Sequence, residues 1–125
     1  MSMVLWIKLD NDPEDYAPDD LGFLLEELDD IDEQCTELQV QPLSEFVDYS
    51  DVEFNMSEEE LDESWLEENA KWVNPADLLI TLQSLEQAMV DEDDDEDLID
   101  EVRYLINRCA EAEQAAVRVR LIAVM

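Results

Sequence analysis

The chain has 125 residues, a length typical of one domain, and its 37 Asp and Glu against 6 Lys and Arg give a formal charge of −31 at pH 7. A charge of this size repels the phosphates of nucleic acids and anionic membrane surfaces, so direct binding to either is excluded. The chain contains no histidine, the commonest general base and transition-metal ligand, while its hydrophobic content of 46% is sufficient for a folded core.

The N-terminal part of the chain is predicted to form a strand followed by a helix. The sequence MVLWIKL, residues 3 to 9, is rich in β-branched and aromatic side chains and predicts a strand buried on at least one face. After an acidic loop, Pro18 stands near the start of a helix predicted over residues 18 to 33. The apolar face of this helix has the spacing i, i+3, i+4 and i+7 and consists of Leu21, Leu24, Leu25 and Leu28.

The middle of the chain has a weaker pattern. ELQV (residues 37 to 40) and DVEF (residues 51 to 54) have the composition of short strands, and PLSEFVDY between them is consistent with either a turn or one helical coil. Ser57 and Glu60 have the spacing of a capping box and predict a helix over residues 58 to 70.

Two helices and a strand are predicted for the C-terminal part. Asn74 followed by Pro75 is typical of a helix N-terminus, and this helix is predicted to end at the acidic run DEDDDED, residues 91 to 97. The run is expected to connect it to a second helix over residues 97 to 114, and the last acids of the run to cap that helix. The apolar stripes of the two helices are Leu78, Leu82, Leu85 and Met89, and Leu98, Val102, Leu105 and Cys109. The closing segment AVRVRLIAV alternates apolar residues with arginines and predicts a strand.

These elements predict an α+β fold over residues 1–125 as a single acidic domain, in which a small antiparallel sheet contains both terminal strands and three to four helices pack on it. Arg118 and Arg120 on the closing strand are expected to pair with nearby acids. Cys35 and Cys109 are expected to be reduced, buried thiols. Because no secretory signal or membrane span is present, the predicted location is the cytoplasm.

No catalytic, cofactor-binding or metal site is predicted. The acidic loops that begin at Asp10 and Asp91 lack the glycine that an EF-hand requires at its sixth position, and Cys35 and Cys109 have no histidine to complete a zinc site. A carboxylate pair at any chosen spacing is uninformative among 37 acids. The chain is therefore predicted to be neither an enzyme nor a cofactor-dependent protein.

The distribution of charge predicts a basic protein as the partner. Residues 1 to 70 hold 24 acids and only Lys8, a balance of −23, whereas residues 71 to 125 hold 13 acids and five basic residues, a balance of −8. Fields of this size steer positively charged molecules. The candidate partner contacts are one aromatic anchor, Trp65, and a set of acids that consists of Asp19, Asp20, Glu26, Glu27, Asp29, Asp30, Glu58, Glu59, Asp62, Glu63, Asp93, Asp94 and Asp95.

In size, charge and layout the chain resembles the small acidic immunity proteins of bacterial toxin systems. The resemblance includes KWVNPADLLITLQSLEQAM followed by a second helix and a C-terminal strand, and it implies a cytoplasmic inhibitor that covers the substrate surface of a toxin such as a nuclease. Two alternatives remain open. One is a mimic of DNA or RNA, since extended consecutive acids place one charge about every 3.3 Å, close to the phosphate spacing of a single strand. The other is an acidic adaptor module. The oligomeric state is open.

Overall fold

The computed structural model describes residues 4–13, 20–49, 65, 71–93 and 95–124. The predicted α+β class is confirmed, because within these described ranges four α-helices combine with a three-stranded sheet that contains both terminal strands. The strands are β1 (Val4–Leu9), β2 (Val47–Asp48) and β3 (Val119–Val124).

The sheet is mixed, with β3 between β1 and β2. β1 runs antiparallel to β3 with Ile7 opposite Leu121, and β2 runs parallel to β3 with Val47 opposite the same residue. The sheet was expected to be antiparallel throughout; the parallel pair is possible because the chain between β2 and β3 is long and includes helices, as a parallel crossover requires. Leu5, Ile7 and Leu9 are buried and alternate with half-buried residues, so β1 turns one face to the core.

The helix predicted over residues 18 to 33 is two helices, α1 (Gly22–Glu26) and α2 (Leu28–Leu38), separated by Glu27. The break leaves the apolar stripe intact, since Leu24, Leu28 and Ile31 are all buried. The spacing of the apolar residues alone therefore could not reveal the break at Glu27. The predicted end at residue 33 and the strand predicted at residues 37 to 40 are wrong, because buried Cys35 continues the stripe by one turn and α2 extends to Leu38.

The segment PLSEFVDY contains a short 3-10 helix, Leu43–Phe46, which leads directly into β2. The helical coil was one of the two predicted alternatives for this segment. The strand predicted at residues 51 to 54 and the helix predicted at residues 58 to 70 lie outside the described residues, apart from Trp65, which is helical and half-buried.

The two C-terminal helices are confirmed as α3 (Pro75–Asp91) and α4 (Glu96–Ala115). The side-chain oxygen of Asn74 accepts a hydrogen bond from the amide of Ala76 at 3.0 Å, which is the expected N-cap. All the residues of the two predicted apolar stripes are buried, and α3 packs along α4. Together with the inner face of the sheet, the helices enclose the hydrophobic core. No helix in the described part of the chain is long and apolar enough to cross a membrane.

The acidic run connects α3 to α4, as predicted. Asp93 has a φ of 55°, in the left-handed region where Asp and Asn are enriched among residues other than glycine. Asp95 caps α4, because its side-chain oxygen accepts a hydrogen bond from the amide of Asp97 at 2.9 Å. The run therefore has a local structural role at its C-terminal end.

Replacing Asp95 by alanine is expected to lower the free energy of unfolding by about 1 kcal/mol, while replacing it by asparagine should change that energy by only a few tenths, because asparagine caps a helix as well as aspartate does. Urea denaturation of both variants measures the difference. Equal losses for the two variants would show that the charge of Asp95, and not its capping hydrogen bond, stabilises α4.

The two cysteines are free and buried, as predicted. Burial raises the pKa of the Cys109 thiol to about 12, and burial also raises the pKa of Cys35. Both side chains are therefore protonated and unreactive at neutral pH. Trp6 and Trp72 are half-buried.

Candidate functional site

The six basic side chains are all held by contacts within the protein. Five ion pairs among the described residues join Arg103 to Glu86, Arg108 to Asp12 and to Glu111, Arg118 to Asp10, and Arg120 to Asp48. The Lys71 ammonium donates to the backbone carbonyl of Glu45, and the Lys8 ammonium lies 5.8 Å from the centre of the Trp6 ring. The predicted pairing of the arginines of the closing strand with acids is confirmed. The positive charges therefore all take part in contacts within the protein. They lie on the sheet, just before α3 and along α4.

The surface formed by α1, Glu27 and α2 carries the opposite balance. Residues 22–38, which form this surface, contain seven acids and no basic residue. Among the ion pairs of the described residues, none involves a carboxylate of α1 or α2. Glu26, Asp29 and Asp30 are exposed on these helices. We call this surface, α1 through α2 with Glu27 between them, the acidic face; all of its charged residues are negative.

A cleft of about 330 Å³ lies where the acidic face meets the connection between α3 and α4. This volume is at the lower end of the range of ligand sites in proteins, roughly 300 to 1,000 Å³. Three buried apolar side chains form the floor of the cleft, namely Ile31, Met89 and Leu98. The exposed or half-exposed residues at its rim are Phe23, Glu27, Asp30, Gln34 and Asp95. An apolar floor is thus combined with a rim of carboxylates.

Phe23 stands out among the rim residues because it is 47% exposed although its backbone is fixed by hydrogen bonds. The carboxylate of Glu101 on α4 accepts hydrogen bonds from the amides of Leu24, at 3.0 Å, and of Phe23, at 3.3 Å. Just before α1, Leu21 exchanges two backbone hydrogen bonds with Leu5 of β1, at 3.0 and 3.1 Å. An exposed aromatic ring on an anchored backbone is the arrangement found at binding hot spots.

The opposite side of the cleft is also tied to its surroundings. The side-chain amide of Gln34 on α2 donates to the carboxylate of Glu92 at 3.4 Å, which links α2 to the end of α3. Asp95 is held by its capping hydrogen bond at the start of α4. The rim therefore belongs to elements that are connected to each other by specific contacts, which hold the walls of the cleft in place.

The structure brings together some of the predicted partner contacts and separates others. Glu27, Asp30 and Asp95 meet at the cleft, and Glu26 and Asp29 are exposed beside it. The other predicted contacts lie elsewhere or outside the described residues, the latter being Asp19, Glu58, Glu59, Asp62, Glu63 and Asp94.

Besides Glu26 and Asp29, three other predicted contacts are described but do not line the cleft. Asp20 accepts a hydrogen bond from the indole nitrogen of Trp6 at 2.7 Å and so belongs to the edge of the sheet. Asp93 lines a separate hollow that also includes Arg103. Trp65 is half-buried. Sequence reasoning missed Phe23, although a signal was present: it is a large aromatic residue off the buried stripe of a helix whose exposed positions are otherwise acidic.

Neither a metal centre nor a known relative offers a more direct assignment. Within the described ranges, no group of three or more Cys, Asp or Glu side chains is arranged to hold a metal ion. No family model matches the chain, and no significant match was found among the curated proteins or the solved structures. Fold and site together define an acidic α+β protein whose negative face adjoins a cleft with an apolar floor.

Proposed function

We propose that this protein is an inhibitor that binds and neutralises a basic protein, as the immunity proteins of bacterial toxin systems do, with a toxin domain such as a nuclease as the target. The observation that carries this proposal is the segregation of charge. The basic side chains are engaged by contacts on the sheet, before α3 and on α4, whereas the acidic face, residues 22–38, has seven acids and no basic residue.

The size of the charge supports a binding role. A net charge of magnitude about 2 to 8 is enough to keep a small domain soluble, and the −31 of this chain destabilises the folded state through self-repulsion. Because the charge is larger than solubility requires and lowers the stability of the fold, its size calls for another explanation. Attraction of a basic partner is such an explanation, because complementary fields raise association rate constants from about 10⁵–10⁶ to as much as 10⁸–10⁹ M⁻¹s⁻¹.

Electrostatic attraction alone gives a short-lived complex, since exposed charges are screened beyond about 8 Å at physiological ionic strength. A long residence time requires groups that are desolvated in the interface. Phe23 and the cleft beside it supply an apolar contact within the acidic face. In this proposal the carboxylates raise the association rate constant, and the cleft region lowers the dissociation rate constant.

The test uses the product of the gene that neighbours this one in its genome as the candidate target. Co-expression is expected to protect cells from that product, and the purified proteins should form a complex in which the target's activity is lost. The association rate constant, measured by stopped-flow fluorescence, should fall at least roughly tenfold between low and high salt. Absence of both protection and binding would contradict the proposal. A bound target that has no catalytic activity and binds nucleic acid would indicate the mimic alternative instead.

A matched pair of triple variants locates the interface. The first replaces three exposed acids of the acidic face, Glu26→Gln, Asp29→Asn and Glu33→Gln; the second replaces three exposed acids elsewhere, Asp77→Asn, Asp100→Asn and Glu113→Gln. Both change the net charge by the same amount. The first is expected to slow association by roughly tenfold and the second by less than about twofold, because steering depends on the charges nearest the interface. Equal effects would exclude the acidic face as the binding surface.

A further inference from the structure

We propose that the cleft beside the acidic face binds one long basic side chain, an arginine or a lysine, of the partner protein. In this arrangement the methylene groups of the side chain lie against Ile31, Met89 and Leu98, and its cationic end meets the carboxylates of the rim. The inference rests on the proposed function, since it identifies the group through which the basic partner is recognised.

The rim is complementary in charge to such a group. Glu27 from the turn between α1 and α2, Asp30 from α2 and Asp95 from the start of α4 line the same cleft, and none of the described residues that line it is basic. These carboxylates come from three separate elements and therefore surround the opening from more than one direction. A guanidinium group carries five N–H donors and an ammonium group three, and hydrogen bonds from either to carboxylates are stronger than those between neutral groups.

The floor distinguishes this ligand from a metal ion. A calcium or magnesium ion requires a shell of oxygen ligands, and the buried side chains of the floor offer only carbon and sulfur. Arginine and lysine, in contrast, carry an apolar stem that packs on hydrocarbon while the charged end remains at the polar edge. The exposed ring of Phe23 adds a face on which a cation is attracted.

The floor and rim also disfavour a purely apolar ligand. A side chain such as leucine would cover the floor and at the same time remove water from Asp30 and the neighbouring carboxylates without replacing their hydrogen bonds. Because the contacts of Glu101, Gln34 and Asp95 already fix the walls, little conformational entropy is lost when a ligand enters. The combination of apolar floor, acidic rim and fixed walls selects a long, amphipathic cation.

The experiment titrates the isotope-labelled full chain with the peptide acetyl-Gly-Arg-Gly-amide and follows backbone amide shifts by NMR. The control peptide carries citrulline, which has nearly the shape of arginine without its charge. The arginine peptide is expected to give weak, saturable shifts centred on Phe23, Asp30 and Gln34, and the citrulline peptide to bind at least roughly tenfold more weakly. Equal affinities, or shifts that spread over all the acidic segments without saturation, would overturn the inference.

Two matched pairs of variants provide the second arm. Asp30→Asn is expected to weaken binding of the arginine peptide by roughly fivefold to tenfold, whereas Asp29→Asn, one residue away on the same helix and outside the cleft, should have less than about a twofold effect. Phe23→Ala should weaken binding by roughly threefold or more, while Ile80→Ala, which removes another exposed apolar side chain, should have no effect. All four positions are exposed, and thermal denaturation checks that each variant is folded. Equal effects within either pair would contradict the assignment.

Failure of this inference and failure of the proposed function give different results. If the target protein is bound and inhibited but the arginine peptide does not bind the cleft, the function stands and the cleft assignment is wrong. If the peptide binds the cleft but no basic protein is bound or neutralised, the cleft is a site for basic side chains and the inhibitor function is wrong.

Discussion

Replacing Asp48 by asparagine is expected to lower the free energy of unfolding by about 3–5 kcal/mol, because it removes the negative charge that compensates a largely buried arginine. The side chain of Asp48 is 2% exposed and that of Arg120 is 14% exposed, and the carboxylate accepts from the guanidinium Nε at 2.5 Å. The same carboxylate oxygen also accepts a hydrogen bond from the backbone amide of Lys71 at 2.8 Å.

The position of Asp48 in the fold explains the size of this effect. Asp48 lies in β2, Arg120 in β3, and Lys71 shortly before α3, so one carboxylate joins the edge strand, the central strand and the entry to a core helix. Domains of this size are stable by about 5–15 kcal/mol, so the variant is expected to lose a large share of the total.

Asp10 provides the matched control. It also pairs with an arginine of the closing segment, Arg118, at 3.1 Å, but the two side chains are 41% and 60% exposed. Replacing Asp10 by asparagine is therefore expected to cost no more than about 1 kcal/mol. Urea denaturation followed by tryptophan fluorescence measures both variants, and an unchanged m-value shows that the comparison concerns stability. If the two variants lost the same amount of unfolding free energy, burial would not be the reason that the ion pair of Arg120 contributes to stability.

The ion pair between Asp48 and Arg120 also illustrates which features the sequence could and could not predict. The alternation of apolar residues with Arg118 and Arg120 predicted a strand whose arginines pair with acids, and the structure confirms both statements. The identity of the partner was beyond prediction, because Asp48 is 72 positions from Arg120 and the chain offers 37 carboxylates. Local patterns predict what kind of contact a residue needs, and tertiary packing decides which residue provides it.

Elements with strong local signals were predicted closely, and those set by packing were not. The N-cap Asn74 followed by Pro75, and a regular apolar stripe, were sufficient for α3, and the terminal strands followed from composition and alternation. The break at Glu27 was missed because it leaves the stripe intact, and the two residues of β2 are too few to give a pattern.

The same distinction applies to the candidate site. Glu27 and Asp30 were expected to lie near each other on a helix, but Asp95 reaches the same cleft only because α4 packs beside α1 and α3 packs beside α2. The apolar floor was hidden among residues that the sequence assigns to the core, and Met89 is an example. A cleft is a space between elements, and no single segment encodes it.

Glu101 is the second position at which a large effect is expected. Its carboxylate, on α4, accepts hydrogen bonds from the amides of Phe23 and Leu24 and so satisfies two backbone donors at the start of α1. Replacement by alanine removes both acceptors and should lower the free energy of unfolding by about 2 kcal/mol. Asp100→Ala, at the neighbouring exposed position, should change it by no more than about 0.5 kcal/mol in urea denaturation. Similar values for the two variants would mean that the start of α1 does not depend on Glu101.

Glu101 also predicts a pH dependence of stability with a defined sign. Burial raises the pKa of this carboxyl above its ordinary value of 4.5, and the hydrogen bonds from Leu24 and Phe23 oppose that increase only in part. The folded state therefore binds the proton more tightly than the unfolded state, and stability falls as the pH rises through the interval between the unfolded and folded pKa values. On acidification from pH 7 towards 4.5, the free energy of unfolding of the wild type is expected to increase.

The variant Glu101→Gln separates this contribution from the general relief of charge repulsion. Acidification also reduces the net charge of −31, which stabilises the folded state whether or not Glu101 is present. The variant should therefore keep part of the increase and lose the part that Glu101 contributes, so that its curve of unfolding free energy against pH is shallower than that of the wild type. Parallel curves would show that the carboxyl of Glu101 has the same proton affinity in both states, and that its contacts with α1 do not depend on its charge.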